Sequence, residues 1–361
     1  VNYIIAFDVE GPIASPSFDF TWISLEQTTK QFHEKIKLFD EYDDLRWERE
    51  RNKKIKHKHS TGTTPLISLL ATACEGFTDL KLKKIAREKL KLSRGIEELL
   101  KWLINERQII PYLITSSYPA VSLLLGRKFK IPSSHIYCAG NQLNRKELLK
   151  FDSNPNLNLE LHQRSPLKLW RKNQSEAIEF LNKYLENCIE LRNLYLYIQE
   201  KKNKNNKNKN KNKFLLKQQQ KIFREIKDIE LKTSLINLIL KQKGVMGAHN
   251  KKKVLKKLSP DPKYAIYIGD GIVDADSLEY ANHGIALNCI DKFALHSCKL
   301  NIATANEALL IPILEEILKG KFKLKIKQNQ LSNELYIFNQ KDIKAKYEEV
   351  KKINSYFRAT L

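Results

Sequence analysis

The feature that most constrains this chain is a short apolar run ending in a carboxylate. Residues 2–8, NYIIAFD, are rich in β-branched and aromatic side chains, and the breaker pair Gly11 and Pro12 follows closely. An apolar run of that length bounded by breakers reads as a buried strand. It would deliver Asp8 to its C-terminal edge, where a charged side chain has a use only if something binds there.

Further along, the same pattern returns in alternation with helical periodicity. An amphipathic helix at Ile96–Asn105 precedes the strand Ile109–Thr115, IIPYLIT, in which Pro111 removes a ladder donor. A helix at Ala120–Phe129 leads to a short strand at His135–Ala139. The alternation resumes with a helix at Lys251–Leu258, the strand Tyr264–Gly269, a helix over Asp276–Ala281 and the strand Gly284–Leu287. Strands and helices in that order predict an α/β fold with a parallel sheet covered by helices. Residues 302–318 read as helical, and the tail holds a strand candidate at Glu334–Phe338 and a charged helix from Lys341.

Two stretches interrupt the alternation. Between the first two strands, Trp22–Trp47 is helical in pattern, Arg49–Thr64 is a polar loop, and helical spacing returns at Pro65–Cys74 and Leu80–Leu90. Between Asn141 and Lys243, the segments Lys168–Gln199 and Phe214–Leu240 carry helical spacing on either side of KKNKNNKNKNKNK at residues 201–213. That tract has no apolar side chain to offset its ordering entropy, so a helical hairpin with a disordered tip is expected.

The formal charge is +23, and seven of the lysines lie in that tract. A chain generally rich in Lys, Asn and Ile is accounted for by base-composition bias, so nucleic-acid binding is disfavoured although the charge permits it. No stretch of about 18 uncharged apolar residues is present to span a bilayer. The first strand begins at residue 2, before any signal peptide could fit, and a cytoplasmic protein is expected. Five scattered cysteines without a CxxC pair point to neither a disulfide framework nor a zinc site.

Four fragments are expected at the C-terminal edge of the sheet, where open α/β folds bind ligands. They are Asp8-Val9-Glu10-Gly11, Thr115-Ser116-Ser117, the lysine cluster Lys251, Lys252 and Lys253 at a helix start, and Gly269-Asp270-Gly271-Ile272-Val273-Asp274. Carboxylates beside a lysine and hydroxyls suit phosphoryl transfer. Both a carboxylate nucleophile and a phosphate dianion are negative, so a divalent cation and positive groups must neutralise them.

In order and composition these fragments resemble the four signature motifs of the haloacid dehalogenase (HAD) superfamily. The resemblance implies a Rossmann-like HAD core built from residues 1–14, 93–140 and 244–320. It implies Asp8 as nucleophile, Glu10 as acid and base, Thr115, Ser116 and Lys251 as phosphate-binding groups, and Mg²⁺ held by Asp8, Glu10, Asp270 and Asp274. Lys251 fits the family's lysine-to-helix spacing best, in KKKVLKKL. Residues 15–92 then occupy the place of a helical C1-type cap, 141–243 form a helical insertion, and 321–361 are a C-terminal extension.

Within the family pattern Glu10 is a departure, because the usual residue is Asp. The extra methylene displaces the carboxyl by about 1.5 Å if nothing else moves, and misplacement on that scale costs on the order of 100-fold in rate. The DxEGP start, FDEYDD at Phe39–Asp44, STGTTPLISLL at Ser60–Leu70 and GIALN at Gly284–Asn288 are similar to an archaeal group of predicted HAD hydrolases. Some members of that group carry the name of subunit R of the energy-converting hydrogenase A, and Glu is habitual there in the first motif.

The expected function is a Mg²⁺-dependent phosphatase acting on a small phosphorylated metabolite through an aspartyl-phosphate. The competing reading is a catalytically weak HAD scaffold or accessory subunit that binds a protein partner through the helical insertion or the tail. The acids of Tyr42–Asp44 read better as solvated helix residues than as groups of the site, and His57 and His59 sit among too many lysines to hold a metal.

Overall fold

The computed structural model describes residues 3–27, 30–52, 61–75, 77–139, 174–203, 221–222, 245–322, 330–332 and 334–360. The loop histidines, residues 204–213 of the Lys/Asn tract and nearly all of the hairpin's second limb lie outside the described residues.

Among the described residues, eight strands form one sheet: β1 (Ile4–Phe7), β2 (Tyr112–Ile114), β3 (Ile136–Tyr137), β4 (Ala265–Gly269), β5 (His283–Leu287), β6 (Leu300–Thr304), β7 (Gln330–Ser332) and β8 (Leu335–Asn339). Their order is β3-β2-β1-β4-β5-β6-β8-β7. The first six pair in parallel, and β8 runs antiparallel to both β6 and β7. The protein is therefore a mixed α/β fold with a mostly parallel sheet. Strands β4 and β6 are buried along their whole length, as parallel strands covered on both faces must be.

The strand order reverses between β1 and β4, which are neighbours in the sheet although some 260 residues separate them. A crevice opens outside the carboxyl ends of the strands at such a reversal. Asp8 extends the β1 to β4 ladder by one bond, donating its N–H to Ile268 O at 2.8 Å.

Several sequence boundaries shift, each for a local reason. Pro111 precedes β2 instead of interrupting it. The helix expected from Lys251 begins at Ala248, which places the lysines in its second turn. Helix Lys30–Asn52 runs into what was read as a loop from Arg49. Residues 302–304, read as helical, belong to β6, and the helix proper is Ile311–Leu318. The tail read as an extension supplies β8 and the helix Tyr347–Thr360, which buries Val350, Asn354 and Phe357. Asn354 Nδ2 donates to Cys289 O at 2.6 Å and to Asn301 Oδ1 at 3.1 Å. This docks the helix on the strands.

The chain divides into two compact units. One comprises Val1–Phe20, Lys83–Ala139 and Met246–Leu361, and thus holds the sheet and the tail together. The other joins Thr21–Leu82 to Gly140–Val245, so the two inserted segments read separately from the sequence belong to one unit. Within it, helix Lys30–Asn52 packs along helix Gln174–Asn203. Phe39 meets Tyr184 with ring centroids 5.7 Å apart, Tyr42 stacks on Tyr195, and Lys35 Nζ pairs with Glu186 at 2.8 Å. The long helix continues through residues 201–203, the first three of the Lys/Asn tract. Among the described residues no helix is long and apolar enough to cross a membrane.

Asp43, which read as a solvated helix acid, is buried in this second unit. Its Oδ2 accepts the N–H groups of Gly62 and Thr63 at 2.8 and 3.0 Å, while Asp44 accepts the Thr61 hydroxyl at 2.6 Å. The acids of one helix thus organise the turn that starts the next. Asp43→Ala strands two buried donors and is expected to lower stability by about 1–3 kcal/mol, measured by urea unfolding. Asp44→Ala, at the more exposed site, should cost less; an equal or reversed order would contradict the assignment.

Candidate active site

The site lies on the sheet-bearing unit and is built around a lysine. Of the three adjacent lysines only Lys251 is buried, with 0% exposure, whereas Lys252 is half-buried and Lys253 exposed. Its Nζ donates to Asp8 Oδ2 at 2.6 Å and to Asp274 Oδ1 at 2.7 Å. Val254 and Leu255, three and four residues on, are buried with it, so the apolar face of the helix turns Lys251 inward. Burial opposes the charge of Lys251, but the charges of Asp274 and Asp8 outweigh it and raise its pKa.

Asp8 leaves β1 and turns at once. Its Oδ1 accepts the Val9 N–H at 2.7 Å. Burial, then the charge of Asp274, pushes its carboxyl up from 3.8 to about 7, against the lowering pull of Lys251. Gly11 completes the turn with φ +97°, and an added Cβ there would overlap the Asp270 carboxyl. Only glycine lets the first loop approach the fourth this closely.

Asp8, Asp270 and Asp274 place carboxylate oxygens within 4.8 Å of one another. Hard oxygen donors so arranged could hold a metal ion. The three are not equivalent. Asp274 Oδ1 accepts from Lys251 and from Tyr267 OH at 2.6 Å, and its Oδ2 accepts the N–H groups of Asp270 and Gly271 at 3.0 and 3.1 Å. These four bonds use all the acceptor positions of a carboxylate. Asp274, read from the sequence as a metal ligand, belongs to this trio and also holds Lys251 and the loop, while Asp8 and Asp270 keep more acceptor positions open.

The structure does not bring the carboxyl of Glu10 into that trio. Its Oε1 accepts Ser117 Oγ at 2.8 Å and the Phe20 N–H at 3.0 Å. Burial, then the charge of Asp19, pushes its pKa well above the ordinary carboxylate range, against those two bonds. Thr115 is fully buried at the end of β2, and its Oγ1 accepts the Ser117 N–H at 3.1 Å. Its hydroxyl hydrogen remains for another acceptor. Ser116 is half-buried beside it.

With the geometry in view, a solved counterpart can be given. The structure of gene product AF1437 from Archaeoglobus fulgidus is similar over 99% of this chain and 96% of that one, with a TM-score of 0.65 at 15% sequence identity. At that identity the likeness shows the fold alone. No family model and no curated protein matches the sequence.

Three residues of the site escaped the sequence reading. Ser117 sat in the TSS run, but the expected roles went to its neighbours; the greater length of Glu10 was a signal that it needed a partner elsewhere. Tyr267 looked like one more apolar strand residue. Arg358 lies 88 residues beyond Asp270 in the tail, yet its Nη1 donates to Asp270 Oδ2 at 2.6 Å. Burial raises the pKa of Asp270, with Arg358 as the chief opposing influence.

The raised carboxyl of Asp8 has a stability consequence. Between 3.8 and about 7 the folded protein keeps a proton that the unfolded chain has released. Stability therefore falls as pH rises through that window, by up to about 1.4 kcal/mol per pH unit. Urea unfolding at about pH 5 and about pH 7.5 should display the loss, and Asp8→Asn should reduce it, leaving the share of Glu307, which burial raises to about 8, and of Glu10; identical slopes in the two proteins would contradict this account.

Proposed function

We propose that the protein is a Mg²⁺-dependent phosphohydrolase of the HAD type, acting on a small phosphorylated metabolite through an aspartyl-phosphate on Asp8. The observation that carries this reading is the buried Lys251, bound to both Asp8 and Asp274, with Asp270 alongside. A lysine with no exposure serves a structural pair poorly, since two apolar residues would do as well. Beside a carboxylate nucleophile it lowers the repulsion that an incoming phosphoryl group would meet.

In this reading Asp8 and Asp270, with Asp274 alongside, would hold Mg²⁺, which would supply charge neutralisation for the phosphoryl oxygens. Asp8 attacks phosphorus, forming the O–P bond of the acyl phosphate while the bond to the leaving oxygen breaks. Glu10 gives its proton to that oxygen. Its raised pKa fits this task, because a carboxyl kept protonated near neutral pH can act as an acid. Water then attacks the acyl phosphate, Glu10 takes its proton, and phosphate leaves with Asp8 restored. Thr115 and Lys251 donate to the phosphoryl oxygens, with Ser116 at the rim.

The bonds from Ser117 and Phe20 also bear on the extra methylene of Glu10. They fix the longer side chain at a defined position, which offsets the positional freedom that the extra methylene adds. In this reading residues 15–92 take the place of a C1-type cap in the chain.

A screen of phosphorylated metabolites with and without Mg²⁺ tests the reading, with Asp8→Asn beside the wild type. Release of phosphate should require Mg²⁺ and vanish in Asp8→Asn, and beryllofluoride should bind the wild type alone. Phosphate release that survives in Asp8→Asn would overturn it. Glu10→Gln is expected to lower kcat by about 10²–10⁴-fold, and Ser117→Ala by less, with the acidic limb of the pH profile displaced; an unaltered kcat in Glu10→Gln would remove Glu10 from the mechanism.

A further inference from the structure

Arg358 takes no part in the steps above, yet it touches a carboxylate of the site. It sits on helix Tyr347–Thr360, four residues after the buried Asn354 and next to the buried Phe357. The guanidinium is thus delivered by a docked helix. Its Nη1 binds Asp270 Oδ2, and it has no other hydrogen-bond partner among the described residues. A guanidinium presents five N–H donors in a planar fork suited to phosphate and carboxylate oxygens. Most of that fork is unused. Moreover, the Arg358 side chain is 30% exposed, so a solute can reach it.

We propose that Arg358 is an anion-binding residue of this site, which engages a phosphoryl oxygen, or a second anionic group of the substrate, with the donors that Asp270 leaves free. The assignment rests on the phosphohydrolase reading and extends it to substrate class: phosphorylated compounds whose anionic charge exceeds what Lys251 alone can balance. It carries a definite sign for the metal. A positive group within hydrogen-bonding distance of a cation's carboxylate ligand weakens cation binding, by on the order of tenfold after allowance for partial exposure. Arg358 therefore lowers affinity for the divalent ion and raises affinity for the anion.

The two opposite signs make the test. Isothermal titration of Mg²⁺ alone, and of inorganic phosphate into the Mg²⁺-saturated protein, would be run on wild type, Arg358→Gln and Arg358→Lys. In Arg358→Gln, Mg²⁺ affinity should rise about tenfold and phosphate affinity should fall about tenfold to a hundredfold. Arg358→Lys should restore wild-type Mg²⁺ affinity but only part of the phosphate affinity, because the fork is lost. A fall in both affinities would mean that Arg358 merely holds the fold, and a fall in Mg²⁺ affinity alone that it merely orients Asp270; either overturns the proposal, as does no change. Wild-type protein that takes up Mg²⁺ but no phosphate would instead defeat the phosphohydrolase reading, whereas equal phosphate binding by wild type and Arg358→Gln defeats the Arg358 assignment alone.

Discussion

The ammonium group of Lys251, enclosed between Asp8 and Asp274, is the interaction on which the rest of the site depends. Taking a charge out of water costs several kcal/mol unless its partners are close and well aligned, and removing one partner of such a set costs about 3–5 kcal/mol. The alignment comes from four places in the chain: the end of β1, the helix Ala248–Leu258, the end of β4 and the turn that follows it. The sheet order makes their meeting possible, because β1 and β4 are neighbours despite their separation in sequence. A parallel sheet with another order would leave the lysine with no acid to meet.

Around that pair the carboxylates divide their work. Asp274 is saturated by four hydrogen bonds and fixes geometry. Asp8 and Asp270 keep acceptor positions open. Glu10 is held by Ser117 and Phe20, outside the trio. Gly11 sets the distance between the first loop and Asp270, since any side chain there would fill the space that the carboxyl occupies. Three acids face two cations, Lys251 from inside and Arg358 from the tail.

Much of the fold was legible because buried parallel strands announce themselves as apolar runs bounded by breakers. Strand β1, β4 and β5 were read this way, with ends off by a residue or two. Strand β6, LNIAT, was missed because Asn301 and Thr304 interrupt its apolar character. Asn301 is satisfied through space, donating to Ala286 O and accepting from Asn354; the Thr304 hydroxyl bonds the backbone of Asn306, and the Thr304 backbone pairs with the Asn288 side-chain amide. The acidic cluster at Asp43 and Asp44 was misread because its partners, residues 61–63, lie in the turn before the next helix. In each case a polar residue looked exposed until its bonding partner was located.

The sequence by itself determined that carboxylates, hydroxyls and lysines would gather at the C-terminal edge of a parallel sheet, because strand periodicity and the breakers after each strand fix where those side chains emerge. Only the tertiary structure decided which of three lysines enters the core, that Asp274 holds while Asp270 stays available, that Ser117 anchors Glu10, and that the tail contributes Arg358. The physical reason is that strand and helix formation are governed by neighbours along the chain, whereas the state of a carboxylate is governed by burial and by the donors within about 3 Å of it. Those donors come from segments up to 243 residues away, and no local pattern records the distance between them.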